Sequence, residues 1–487
     1  MGTAGRIIAQ GRDADIVEHG PGLVLRRPRL PRSPTWPTSP AIPSATAAGN
    51  PNAGGQTGTM PKLLVDVTPL RQSREFRLLY FGQIISYLGS QMTVVAAPYQ
   101  VYLLTHSSLM VGLLGLAAVG PLIAGSLIGG ALADAYDRRR VLLVAQYLVG
   151  ATSLGLALNA MGAHPRVWLI FVLVVLQQAF AGLDRPTRSA ATPKLVGPDN
   201  LPAATALNQL LLQLGVVVGP AVGGILIAKV SLASAYWVDT VSFGFAIVAL
   251  LAMKPMPPEG GGTRASASSI MEGLRFLRGR QALQGTFIID INAMVFGMPR
   301  ALFPAIGTAL GGPAVVGLLY AAPGAGALVG AGTSGWVTRV DRQGRATVIA
   351  VMVWGAAIAA FGFSRWLPLA LFLLAVAGAA DVISAVFRNT ILQLSVPDRL
   401  RGRLSSVHIA VVTGGPRLGD FESGVVAAVT TPEFAVVSGG LACIVGAAII
   451  ARAMPRFTDW RLTQHDQGEP DGEVDEPENG PGEPLDR

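Results

Sequence analysis

Twelve apolar runs follow one another along this chain. They lie at about 78–104, 109–133, 141–163, 167–192, 202–228, 232–253, 284–308, 314–337, 346–364, 367–394, 404–429 and 432–453. Each is near the roughly 20 apolar residues that a helix rising 1.5 Å per residue needs to cross about 30 Å of hydrocarbon. One such run can be a buried helix of a soluble protein. Twelve in succession cannot, because only 14% of the residues are charged, against about 25% in soluble domains. Ten-residue segments of alternating polarity are missing, which excludes a transmembrane barrel. The expected fold class is an all-α membrane protein with twelve transmembrane helices.

The polar turns between the runs give the orientation. Alternate turns hold the arginines: Arg138, Arg139 and Arg140; Arg275, Arg278 and Arg280; Arg339, Arg342 and Arg345; Arg399, Arg401 and Arg403. The opposite turns offer little beyond Arg166, Lys229 and Arg365. Positive residues mark the cytoplasmic side, so both termini are expected there and the chain in a bacterial inner (plasma) membrane. The net charge of +8 thus reports membrane orientation, and no nucleic-acid partner is expected.

The ends read differently. Residues 1–60 are rich in Pro, Gly, Ser and Thr and have no apolar segment typical of a signal peptide. Residues 457–487 carry ten acidic side chains, the composition of a solvated tail. The single cysteine, Cys443, and five scattered histidines offer no metal-ligand spacing, so no metal or cofactor is expected.

An internal repeat organises the middle. LVGPDNL (195–201) precedes the fifth run and LSVPDRL (394–400) the eleventh. An arginine-bearing turn follows the second run at 129–143 and the eighth at 330–345. The expected organisation is a disordered extension over 1–70 and a six-helix half over 71–253. A central cytoplasmic loop comes next over 254–283, with an amphipathic surface helix at MEGLRFLRGR. A second six-helix half spans 284–455 and an acidic disordered tail 456–487. Two six-helix repeats suit a transporter whose halves rock about a central site. None of the four lysines follows a glycine, so the GxxxxGK[ST] loop of an ATP-driven pump is missing. A secondary transporter remains. No nucleophile–base set suggests an enzyme.

GALADAYDRRR (130–140) resembles the G-x-L-x-D-R-x-G-R-R signature of the major facilitator superfamily, and the likeness extends over about 70–455. Gly130, Leu132, Asp134, Arg138 and Arg139 match; Ala135 and Asp137 depart from it. The resemblance implies that Gly130, Asp134, Arg138 and Arg139 form a conformational latch, with Asp134 facing the N-terminus of the eleventh helix, where a carboxylate is favoured. GVVVGPAVGG (215–224) resembles the superfamily's antiporter motif through Gly215, Gly219, Pro220, Gly223 and Gly224. Its glycines form a flat face for close helix packing, and Gly219 is expected at the interface that rocks.

LLTHSSLMVGLLG (103–115), DRPTRSAATPKLVGPDNLPAATALN (184–208), LLYAAPGAGALVGA (318–331) and RLGDFESG (417–424) are similar to the enterobactin-exporter, or transmembrane secretion effector, branch, whose relatives include macrolide and multidrug efflux proteins. That resemblance implies proton-driven export of a siderophore or an amphiphilic drug.

Intramembrane charges each cost about 2.5 kcal/mol or more at mid-membrane, so they should face a cavity or a partner. Asp184, Asp290, Asp381 and Asp420 are the candidates for proton coupling. Arg188, Arg300, Arg388 and Arg417 are their candidate charge partners; Arg417 and Asp420, three apart, share a helix face. Asp239 and Glu422 are further intramembrane acids. Gln83, Tyr87 and Gln91, four apart, are candidates to line a cavity. The expected protein is a monomeric proton antiporter that binds a small molecule and protons within the bilayer. The alternatives are an antibiotic efflux pump without a siderophore role, or a non-transporting membrane scaffold or sensor.

Overall fold

The computed structural model describes residues 66–257, 275–396 and 398–463. The expected disordered extension up to 65 and the acidic tail from 464 on lie outside the described residues. So does most of the central loop with its amphipathic segment, of which 275–277 make a helical turn.

The described chain is helical from end to end. The first part runs α1 (Thr68–Gln72), α2 (Arg74–Thr105), α3 (Ser108–Ala117), α4 (Val119–Ala135), α5 (Arg138–Met161), α6 (Val167–Lys229) and α7 (Leu232–Leu251). The second part runs α8 (Gln281–Phe296), a 3-10 turn (Arg300–Leu302), α9 (Phe303–Leu310), α10 (Pro313–Gly332) and a 3-10 turn (Ser334–Arg339). It continues with α11 (Gln343–Phe363), α12 (Leu367–Ser395), α13 (Asp398–Val429), α14 (Pro432–Ala453) and α15 (Pro455–Thr458). Hydroxyl and carboxylate caps start several of these helices, because their oxygens accept the first free N–H groups. Ser73 accepts from Phe76 (3.1 Å), Asp137 from Arg140 (3.1 Å) and Thr431 from Phe434 (3.2 Å).

Nine helical stretches among the described residues are long and apolar enough to cross a membrane. The difference from the expected twelve has a physical origin. α6 contains two expected runs, broken only at Gly197, whose φ of 74° lies in the left-handed region. α2 and α13 are long enough, but glutamines and charges dilute their apolar character. Large apolar side chains such as Leu127, Val144, Phe245, Val248, Phe372 and Ile449 point outward. Exposed apolar surface on this scale belongs against lipid.

Inside, small residues let backbones touch. α4 crosses α6 where a Cβ on Gly129 would stand 2.5 Å from the Leu183 Cα and one on Gly182 2.6 Å from the Leu122 carbonyl. α10 crosses α12 in the same way: a Cβ on Gly330 would stand 3.0 Å from the Ala379 Cα, and one on Gly378 would strike the Pro323 carbonyl. The internal repeat is thus a repeat of packing as well as of sequence.

Each part ends in a segment docked on its arginine-bearing turn. In the first, the Met256 N–H donates to Asp137 Oδ2 (2.9 Å) and the Arg138 N–H to the Met256 carbonyl (3.0 Å). In the second, the Thr463 N–H and hydroxyl donate to Asp341 Oδ1 (3.1 and 2.7 Å) and the Leu462 N–H to the Asp341 carbonyl (3.0 Å). The tail expected from 456 is therefore docked as far as 463, anchored by the fully buried Phe457 against Gly285 and Gly344. At the other end, α1 starts at Thr68, inside the expected extension. Cys443 is buried in α14, its Sγ 3.8 Å from the Val351 carbonyl.

Candidate functional site

The seventh apolar run is continuous in sequence but not in space. Pro299 has no N–H to give and Gly297 weakens the helix before it, so the run breaks between α8 and α9. The freed backbone groups find side chains from three other helices. Trp354 Nε1–H donates to the Gly297 carbonyl (3.0 Å), the Tyr320 hydroxyl to the Arg300 carbonyl (3.0 Å) and the Ala301 N–H to Asp420 Oδ1 (3.1 Å). Irregular backbone at membrane depth is tolerated where protein satisfies it or where it lines a cavity, and here both hold. A cavity of about 270 Å³ opens at the break. Its walls are residues 297–300 and Phe303, Gly324 and Ala327 of α10, Trp354 and Ile358 of α11, and Leu374, Asp381 and Val382 of α12. Gln213 and Val216 of α6 close it from the first part. The wall is mostly apolar with few polar groups, the usual character of a small-molecule site.

The intramembrane charges form arginine–carboxylate sets, one of which reaches the cavity through Asp381. Arg388 Nη1 lies 2.8 Å from Asp290 Oδ1, an ion pair angled away from hydrogen-bond geometry, and Arg388 Nη2 lies 3.9 Å from Asp381. Arg388 and Asp290 are almost fully buried, whereas Asp381 is 29% exposed toward the cavity. Arg417 Nη1 lies 3.7 Å from Asp420 Oδ2. Arg188 Nε lies 2.6 Å from Asp184 Oδ2, and Gln146 donates to the other Asp184 oxygen (2.8 Å). The Asp184 set belongs to the first part, away from the cavity lining. Arg300 lines the cavity, and no hydrogen bond or ion pair of its side chain is found among the described residues.

The glycines of 215–224 split between two neighbours. A Cβ on Gly215 would strike the Tyr87 ring, and one on Gly219 would strike Gln91 Cβ. Gly223 packs on Met92. Gly224 instead meets the second part, where its Cβ would stand 2.7 Å from the Gly317 Cα. Gly219 thus packs within the first part, and the contact across the seam is made by Gly224. Tyr87 and Gln91 are half-buried against this glycine face, and Gln83 is half-buried one turn earlier.

Other contacts across the seam join α3 to α13, with Gly112 against Asp420 and Phe421 and Gly424 against Ser108 and Leu109. These contacts and Gly224–Gly317 lie toward the arginine-poor turns. At the opposite end Asp134 and Gly130 are open: Asp134 is exposed, no hydrogen bond or ion pair of it is found among the described residues, and a Cβ on Gly130 would meet nothing within 4 Å. Arg138 is 5% exposed, and Arg139 donates to the Leu250 and Leu251 carbonyls (2.7 and 2.6 Å).

Sequence reasoning gave no role to three features. Asp137, a departure from the signature, is the anchor of the docked segment. Tyr320 and Trp354 brace the helix break. Asp239 is fully buried inside a cage of hydroxyls: Thr93 Oγ1 and Ser153 Oγ donate to its Oδ2 (both 2.7 Å), and Ser90 Oγ lies 3.4 Å from Oδ1. An aspartate in an apolar run was the signal available for it; the hydroxyls come from two other helices.

Comparison with known proteins places this architecture. The solved structure of the nucleoside transporter NupG aligns with a TM-score of 0.62 at 12% identity, covering 78% of this chain and 98% of that one. The fold is that of the major facilitator superfamily, a class of multi-pass membrane transporters. Within it the chain belongs to the transmembrane secretion effector family, whose model matches residues 65–479. Among its relatives are the enterobactin exporters EntS of Shigella boydii serotype 18 and of Escherichia coli strain K12. Each is 29% identical over 401 residues, covering 82% of this chain and 96% of its own length. These relatives are transporters, not enzymes.

Proposed function

We propose that this protein is a proton-coupled secondary exporter that moves a siderophore or an amphiphilic drug out of the cytoplasm by alternating access. The observation that carries the reading is the cavity at the broken seventh run, walled by both parts and lying beneath a seam joined at the arginine-poor end. The parts are then two six-helix halves, twelve spans in all, in a bacterial inner membrane with both termini cytoplasmic. The joined end faces outward by the positive-inside rule, so the structure corresponds to a state closed on the outer side. Asp134 is exposed in that state, in keeping with a latch that engages only when the cytoplasmic side closes. The kinship to enterobactin exporters favours a siderophore cargo, and the apolar, aromatic cavity wall suits an amphiphile. The protein works as a monomer in this reading.

The experiment is transport by the purified protein in proteoliposomes under an imposed pH gradient, with enterobactin and an amphiphilic dye as probes. Uphill movement of either probe that collapses with the gradient is expected. Absence of uphill movement of both, in a correctly inserted protein, returns the chain to the scaffold or sensor alternative. Movement of the dye alone selects the drug-efflux reading.

A further inference from the structure

The four carboxylates first singled out for proton coupling each sit beside an arginine. A guanidinium offers donors only. It therefore stabilises the ionised carboxylate and opposes protonation, a suitable arrangement for a lasting ion pair. Asp239 is built differently. It is fully buried, and its partners are hydroxyls, which both donate and accept. The ionised form accepts from Thr93 and Ser153, and a third hydroxyl, Ser90, stands 3.4 Å away while donating to the Ser86 carbonyl (3.0 Å). The protonated form can donate to one of the same oxygens after a hydroxyl rotates. One cage thus fits both protonation states, while an unpaired charge at this depth carries a desolvation cost that a proton removes.

We propose that Asp239 is the proton carrier of the transport cycle, taking up one proton when the site faces outward and releasing it to the cytoplasm. The proposal rests on the reading of the protein as a proton-coupled exporter.

The surroundings support it from every packed helix. α2 contributes Ser90 and Thr93, α5 contributes Ser153, and α6 contributes Gln177, which donates to Ser153 (2.8 Å). On α7 itself Ser242 donates to the Asp239 carbonyl (2.6 Å), and Tyr236, the nearby titratable group, donates to Gln100 (2.8 Å). No basic side chain forms an ion pair with Asp239 among the described residues. Ser90 is half-buried and adds a third hydroxyl beside the carboxyl. A route from charge to movement is also present. A Cβ on Gly89 would stand 2.9 Å from the Asp239 Cα, so α2 rides directly on the site. The same α2 packs through Tyr87 and Gln91 on α6, which meets α10 across the seam at Gly224.

The test uses the full chain in proteoliposomes with enterobactin and the dye. Asp239→Asn should abolish the response of transport to the pH gradient. Thr93→Val and Ser153→Ala remove a donor to the carboxylate, so each should raise the pH midpoint of transport by about one unit. A purely structural aspartate would leave that midpoint in place. If wild type responds to the gradient and Asp239→Asn responds equally, the assignment is overturned alone. If Asp239→Asn does not insert, an unmoved midpoint in both hydroxyl variants overturns it. If wild type transports without any response to the gradient, the proton-coupled reading is overturned and the assignment with it.

Discussion

Gly219 and Gly224 stand little more than one helical turn apart in one motif, yet they meet different parts of the molecule. Gly219 faces Gln91 of α2, whereas Gly224 faces Gly317 of α10. Gly219→Leu should therefore act as overpacking inside the first part, a cost of about 1–3 kcal/mol. Insertion should survive, because leucine is favourable in lipid. Thermal stability in detergent should fall, and efflux should drop at least tenfold. Gly224→Leu should leave the first part's packing alone and force the seam apart. A cysteine replacing Gln213 in the cavity wall should then become open to impermeant maleimide from the outer side; no gain in labelling would refute the seam role of Gly224. Spacing alone makes the glycine face legible, since residues three and four apart share a side of a helix. It does not tell which partner each glycine meets, because α6 is wedged between two neighbours. The same limit hides the cage of Asp239: a carboxylate is visible in sequence, while hydroxyls drawn from α2 and α5 are not.

At the scale of elements, the apolar runs are legible because bilayer thickness sets helix length. Breaks inside them are not, because apolar composition continues through Gly297 and Pro299, and the side chains that tolerate the break are Trp354, Tyr320 and Asp420 from elsewhere in the chain. Trp354→Phe keeps an aromatic ring and deletes the bond to Gly297. The loss should be about 1 kcal/mol, read as a lower melting temperature in detergent together with weaker probe binding. The docked segment after α14 reads as tail in the sequence because acidic residues dominate the chain beyond it. Two hydrogen bonds from Thr463, side chain first and backbone second, hold the Asp341 carboxyl below the usual carboxylate range. A lowered carboxylate contributes above its ordinary range and stops contributing as pH falls through its folded value. Hydrogen-exchange protection of the Leu462 and Thr463 amides should thus be flat from neutral to mildly acidic pH and disappear only in stronger acid. Asp341→Asn should lower it at every pH. Phe457→Ala should undock the segment altogether, since large aromatic truncations in a core cost about 3–5 kcal/mol.

For the whole molecule, the arginine asymmetry gives each turn an expected side, and the packing repeat makes two comparable parts. Which ends touch is not in the sequence, because in the proposed cycle one chain takes up more than one arrangement of the same helices. Asp134 illustrates the point, being exposed here and expected to act in the arrangement closed on the other side. A carboxylate at a helix N-terminus is worth about 0.3–2 kcal/mol, up to roughly thirtyfold in a balanced two-state equilibrium. Asp134→Asn should keep insertion, impair transport and increase labelling of single cysteines facing the cytoplasmic cavity. Unchanged labelling and efflux would mean that the residue only ends a helix in water. Neutralising any one of Arg138, Arg139 and Arg140 should spare topology, and neutralising all three should disturb it.

Such labelling is simpler than it first looks. The one thiol of the chain, Cys443, is fully buried and faces the Val351 carbonyl, and a thiol sealed from water is inert. For aqueous maleimides and methanethiosulfonates the native protein is already a cysteine-less background. Reporter cysteines can be introduced one at a time into the unaltered sequence, without the serine exchange at 443 that would place a new hydroxyl in a dry helix crossing. Accessibility can then be measured on a transporter whose own packing is intact.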